Sequence, residues 1–286
     1  TSNQEFFTRV AQLVIKLIDS VTHEGRVFRV DTRLRPFGDS GALVASYPSL
    51  ENYYQQHGRD WERYALLKSR CITGPSEQTR AFQQLARRFV YRRYTDFSVI
   101  DGLRDMKALI DTERVSKDLA DDVKRGPGGI REAEFVVQSH QLTHGGRIPA
   151  IQTINFQASA SVLAQEQCAP QSVVSTLTSA YRHLRQVEHG IQALRDEQTH
   201  SIPDVSDAQE NLRHLLGYAS WSELRDQTEA HRTAIATEFD ALLNEQGHAS
   251  RLIVGIGSES PSLDMSVIRG LSLDREDDIV VVVSDF

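Results

Sequence analysis

The stretch Arg26–Gly41, RVFRVDTRLRPFGDSG, limits most what this chain can fold into. Phe28, Val30, Thr32 and Leu34 alternate with Arg29, Asp31, Arg33 and Arg35, and Val27 joins the charged set at its near end. A polarity period of two predicts a half-buried strand with one apolar and one charged face. Pro36 ends any ladder, and Gly38 and Gly41 mark the adjoining loop. One carboxylate among three guanidiniums suits a site for a metal ion and anionic oxygens, because Asp is a hard oxygen ligand and Arg a fork matched to phosphate. An edge strand whose charges pair in water would show the same pattern.

Around this stretch the chain reads as helix. Phe6, Phe7, Val10, Leu13, Val14, Leu17 and Ile18 share one stripe, with Asn3 as the expected N-cap. Ala42–Ala45 predicts a short second strand, and Ser49–Arg70 a single aromatic-rich helix capped by Ser49. Within it, Arg63, Lys68 and Arg70 either reach a phosphate or turn their charges to water. Glu77–Val90 predicts another helix, ending in the basic-aromatic patch Arg87–Tyr94. Such a patch can pair with phosphates and stack on bases, but a net charge of −7 over 286 residues weighs against nucleic acid. Ser98–Ala120 predicts a further helix, with Leu103, Met106, Leu109 and Ile110 as its stripe.

In Asp122–Phe135, DVKRGPGGIREAEF, a glycine turn opens the next helix. Amides at a helix N-terminus can face an anion, and Lys124 and Arg125 stand beside them. No Lys-Ser/Thr pair comes after the glycines, so this is not a P-loop. Glu132 and Glu134 either complement the helix dipole or face a site. From Asn155 to about Glu245 the stripes predict a bundle, interrupted by a loop at Asp196–Pro203. His183, His189 and His200 lack metal-ligand spacing, and the isolated Cys71 and Cys168 fit a reducing cytoplasm. No apolar run approaches membrane length, and no signal peptide is legible. The tail changes character. Leu252–Ser258, LIVGIGS, predicts a strand into a glycine turn, and Glu276-Asp277-Asp278 leads into the apolar Ile279–Val283. Two such strands need a sheet, so the chain's ends are expected to meet in one.

RVDTRLRPFGDSGALV, GRDWERYALLKSR, RRFVYRRYTDFSVI and DVKRGPGGIREAEFVVQ together resemble the glutamine synthetase adenylyltransferase/adenylyl-removing enzyme family, over about Glu5 to Leu243. The Pro-Phe-Gly-Asp-Ser-Gly and Gly-Arg-Asp-Trp-Glu-Arg-Tyr wording resembles its N-terminal, adenylyl-removing half. The resemblance implies an α+β fold. A polymerase-β-like nucleotidyltransferase sheet with helices would occupy 1–120, a helical bundle 121–248, and strands at 249–286 would complete the sheet. It also implies three metal-binding carboxylates, of which Asp31 matches the third. The other two belong ahead of the first helix, and this chain opens Thr-Ser-Asn without a Met, as a fragment would. Glu276 and Asp278, after the turn at Gly257 and Ser258, substitute for them if the order is circularly permuted. The longer spacing and the presence of Asp277 depart from the pattern.

The activity implied by the resemblance is removal of AMP from adenylylated glutamine synthetase by phosphorolysis, giving ADP. Mg²⁺ would be held by Asp31, Glu276 and Asp278. Phosphate would meet Arg33, Arg35, Lys124, Gly257 and Ser258. Implied partners are adenylylated glutamine synthetase, a PII-type signal protein, ADP or ATP, and phosphate, in the cytoplasm, without nucleic acid or membrane. Adenylyl transfer from ATP and an inactive regulatory docking module are the alternatives.

Overall fold

Ser2, one residue ahead of the expected cap, starts helix α1 (Asn3–Asp19). Its hydroxyl accepts from Glu5 N at 3.2 Å, and the Glu5 carboxylate accepts from Ser2 N at 3.1 Å. This reciprocal box satisfies two donors that a helix N-terminus leaves over. Of the apolar stripe, Leu13 and Leu17 stay exposed at 59% and 76%, while Ala11 is buried.

The structure is a computed structural model that describes residues 2–92, 112, 119–195, 197 and 199–251. It divides into two units between Arg92 and Arg93. Among the described residues there is no strand and no sheet, and the β-pairing is confined to isolated bridges such as Thr22–Gly25 and Asp122–Ser201. The expected α+β class and its nucleotidyltransferase sheet are therefore wrong for these residues, which are helical. The reason is visible at Arg26–Leu34. Strand structure requires a paired backbone, which alternation alone does not supply. Here Phe28 N bonds Ile18 O at 3.1 Å, at the end of α1, and Val30 N bonds the Asp19 carboxylate at 3.0 Å. Asp31 then accepts from Arg33 N at 2.9 Å, a side-chain turn that bends the chain. Ala42–Ala45 is likewise not a strand. The helix expected over Ser98–Ala120 and the strands expected at Leu252–Ser258 and Ile279–Val283 lie outside the described residues, Thr112 and the end of the first stretch apart.

The single helix expected over Ser49–Arg70 is two, α2 (Tyr47–Gln56) and α3 (Asp60–Leu66), with Ser46 as the first N-cap. Gly58 makes the break. A Cβ there would meet the Phe89 ring at 2.4 Å, so only glycine lets α2 end so close to α4 (Ser76–Val90). Leu50, Tyr53, Tyr64, Leu66, Phe82 and Phe89 form this unit's core.

The second unit is built from helices packed on one another. It comprises α5 (Ile130–His144), α6 (Phe156–Gln165), α7 (Gln171–Arg195), α8 (Ser206–Leu216) and α9 (Trp221–Arg251). α7 packs along α9, with α5, α6 and α8 also against α7. Phe135 of α5 meets Phe239 of α9 edge to face, centroids 5.3 Å apart, both fully buried. Gly217 ends α8 in the left-handed conformation, φ 78°.

Candidate functional site

The charged loop of the first unit holds its own carboxylate. Both Asp31 oxygens accept from Arg33 Nε at 3.0 Å, and Arg33 Nη2 reaches Oδ2 at 2.5 Å. The two side chains remain 44% and 41% exposed, so the pair reaches solvent. Burial pushes the Asp31 carboxyl up. The hydrogen bonds from the Arg33 side chain and backbone outweigh it and leave the group below its ordinary value, hence ionised. Arg35, on the same predicted face, does different work. Its Nε donates to Gly41 O at 3.1 Å, Nη1 to Thr32 O and Oγ1 at 2.9 and 3.0 Å, and Nη2 to Asp39 O at 3.2 Å. These bonds tie the two ends of the turn together. Gly41 makes that closure possible, since a Cβ would stand 1.8 Å from Pro36 O.

Phe37 sits at the tip in the left-handed conformation, φ 60°. Its ring meets the Tyr53 ring edge to face, centroids 4.7 Å apart, and the Tyr53 hydroxyl donates to Glu62 Oε1 at 2.8 Å. Burial and the Glu62 carboxylate push the Tyr53 hydroxyl up to about 12. Glu62 itself is raised by burial, against bonds from Arg59 N and Tyr53. Arg63 is 1% exposed and donates twice to Val90 O, at 3.1 and 2.9 Å. It thus closes the C-terminus of α4 and does not reach outward to a phosphate.

In the second unit the glycine turn spends its amides on the protein. Gly126 N bonds Asp122 O at 2.9 Å, Gly128 N bonds Glu132 Oε2 at 2.8 Å and Gly129 N bonds Gly126 O at 3.0 Å. Ile130 N and Arg131 N bond Val123 O and Lys124 O, both at 3.0 Å. Asp122 Oδ1 takes Lys124 N and Arg125 N at 2.9 and 2.7 Å. The expected anion cradle is a closed, self-satisfied turn, and Glu132 is its clasp. Gly128, at φ +63°, lies so near α9 that a Cβ would meet Arg232 O at 1.9 Å. Arg232 returns Nε to Pro127 O at 2.9 Å and Nη2 to Ala120 O at 2.7 Å.

Lys124 points inward. Its Nζ lies 3.5 Å from Glu188 Oε1, which His200 Nδ1 approaches at 3.0 Å, while Arg185 Nη1 lies 2.5 Å from Glu188 Oε2. Burial pushes the Glu188 carboxyl up, but the bond from His200 and the charges on Lys124 and Arg185 hold it below its usual range. Sequence reasoning misses this network. Its signal is an Arg–Glu pair at i,i+3 whose members directly follow the buried Leu184 and Val187, where charges need partners.

The predicted site residues therefore divide. Asp31, Arg33 and Arg35 share one loop, and Lys124 belongs to the buried Glu188 network. Gly257, Ser258, Glu276 and Asp278 lie outside the described residues. Among the described residues no group of three or more His, Cys, Asp or Glu is placed to share a metal ion, so for Mg²⁺ they offer one hard ligand, Asp31, and not a set. No helix among them is long and apolar enough to cross a membrane.

Comparison with known proteins gives a consistent picture. A family model described as glutamate-ammonia ligase adenylyltransferase matches residues 1–85, and one described as GlnD PII-uridylyltransferase matches residues 104–243. The bifunctional glutamine synthetase adenylyltransferase/adenylyl-removing enzyme of Pseudomonas putida is 44% identical over 262 residues, 91% of this chain and 27% of that protein. The protein of the same name from Xanthomonas axonopodis pv. citri is 40% identical over 285 residues, 99% of this chain and 30% of its own length. The chain thus spans less than a third of these relatives.

Proposed function

The chain belongs to the family of glutamine synthetase adenylyltransferase/adenylyl-removing enzymes, and we propose that it contributes to removing AMP from adenylylated glutamine synthetase. In that reaction a phosphate oxygen attacks the AMP phosphorus, the bond from phosphorus to the tyrosine oxygen breaks, and the products are ADP and glutamine synthetase with its tyrosine hydroxyl restored. The observation that carries this reading is the solvent-reaching Asp31–Arg33 pair on a loop fastened by Arg35. Mg²⁺, when bound, would neutralise charge on the phosphoryl oxygens, and Asp31 is the described residue suited to hold it. Glu276 and Asp278 are the candidates for the remaining ligands, with Gly257 and Ser258 beside the phosphate.

Arg33 is proposed to meet the incoming phosphate, because its fork already binds one anion and remains open to solvent. Arg35 and Lys124 act indirectly, the first by holding the loop, the second by anchoring the glycine turn to α7. The whole reaction follows the relatives' names, and a partnership with a PII-type signal protein and a cytoplasmic setting complete this proposal from the family resemblance. The test is an Mg²⁺-dependent assay of ADP formation from adenylylated glutamine synthetase and inorganic phosphate, run with the wild type and Asp31→Asn in the full-length protein. ADP formed by the wild type and lost in the variant is the expected result. Consumption of ATP instead would assign the forward transfer, and neither activity would leave a docking module.

A further inference from the structure

Phe37 combines two features that each cost stability. Its backbone is left-handed at φ 60°, ψ 14°, a conformation bulky side chains rarely adopt. Its side chain belongs to a residue left 58% exposed. Glycine or asparagine at this position would remove both costs. The surroundings nevertheless hold the residue in place. The Tyr53 and His57 rings lie against its ring, with centroids 4.7 and 5.6 Å away. Glu62 fixes Tyr53 in turn, at 2.8 Å. Arg35 and the close crossing of Gly41 over Pro36 make the turn from Thr32 to Gly41 one closed piece, which also carries the Asp31–Arg33 pair at its entrance. An aromatic ring that is exposed, strained and supported from behind, on the same loop as an anion-binding fork, has the parts a nucleotide needs. Arg suits the phosphate, and a π-face suits the base.

We propose that Phe37 is the stacking platform for the purine base of the nucleotide whose phosphates meet Arg33. The inference rests on the nucleotide chemistry proposed above and adds the residue that recognises the base. It is tested by titrating this chain, in Mg²⁺ buffer, with ADP and separately with inorganic phosphate, using isothermal calorimetry. Wild type, Phe37→Gly and Phe37→Trp are compared, with Tm recorded for each. Phe37→Gly, which suits the left-handed backbone, should weaken ADP binding by about 5- to 150-fold, the usual loss on removing one base–aromatic stack. Phosphate affinity should not change, and Phe37→Trp should keep ADP binding. Unchanged ADP affinity in Phe37→Gly overturns the platform, and so do equal losses for ADP and phosphate, which would mean that the ring only supports the loop. A wild type that binds neither ligand overturns the nucleotide reading itself.

Discussion

Arg33 and Arg35 differ in what their guanidiniums hold. Arg33 grips a half-exposed carboxylate, whereas Arg35 is spent on the carbonyls of Thr32, Gly41 and Asp39. Exposed ion pairs contribute about 0–1 kcal/mol, while hydrogen bonds from a charged donor contribute about 1.5–3 kcal/mol. Arg33→Ala should therefore weaken phosphate binding and leave the urea midpoint nearly unchanged. Arg35→Ala should lower that midpoint, by about 1–3 kcal/mol of stability. A reversed pattern in calorimetry and urea melts would exchange the two roles. Alternation places both arginines on one face and so cannot separate them, because Arg35's partners are backbone oxygens, which carry no side-chain signature. The same limit hides Arg63, whose acceptor is Val90 O.

Elements whose pattern is local are legible in the sequence. α7 and α9 announce themselves through stripes at helical spacing, and Leu177, Leu184, Ile235 and Phe239 on those stripes are buried. The strand expected at Arg26–Leu34 needs a partner that no local pattern can supply. The glycine turn is half legible, since its position is plain while its purpose is not. Gly128 and Gly217 are both left-handed, at φ +63° and +78°, but a Cβ at Gly217 meets nothing within 4 Å. Gly217→Ala should thus cost only the backbone conformation, about 1–2 kcal/mol. Gly128→Ala adds a collision with the α9 backbone, which no rotamer relieves, and should cost about 1–3 kcal/mol more. Equal losses in urea melts would show that the turn can move away from Arg232.

The two units carry different pH burdens. In the second unit, burial lowers His140 and His183 to about 4, helped by the neighbouring His144 and His231. A histidine lowered on folding favours the unfolded state as pH falls, because the unfolded chain takes up the proton first. Stability is lost between the ordinary 6.5 and about 4, by up to about 1.4 kcal/mol per pH unit for each group. Glu188, held low by its cationic partners, adds a loss on further acidification, as pH falls from its ordinary 4.5 through its native value. In the first unit Glu62 is raised by burial, so protonation favours its folded form and works the other way. The chain has two tryptophans, Trp61 in the first unit and Trp221 in the second, which makes the units separately observable. In the single-tryptophan variants Trp221→Phe and Trp61→Phe, urea midpoints by fluorescence at pH 7 and pH 4.5 should shift unequally. The Trp221 signal should fall well below its neutral midpoint, and the Trp61 signal should move less. Matching shifts would mean either that the units unfold as one or that the buried histidines do not govern the second unit's acid response. Replacing His183 and His140 by Gln separates these cases. If the units are coupled but the histidines still govern, both signals lose their shift together, and if the histidines do not, the shift persists in both.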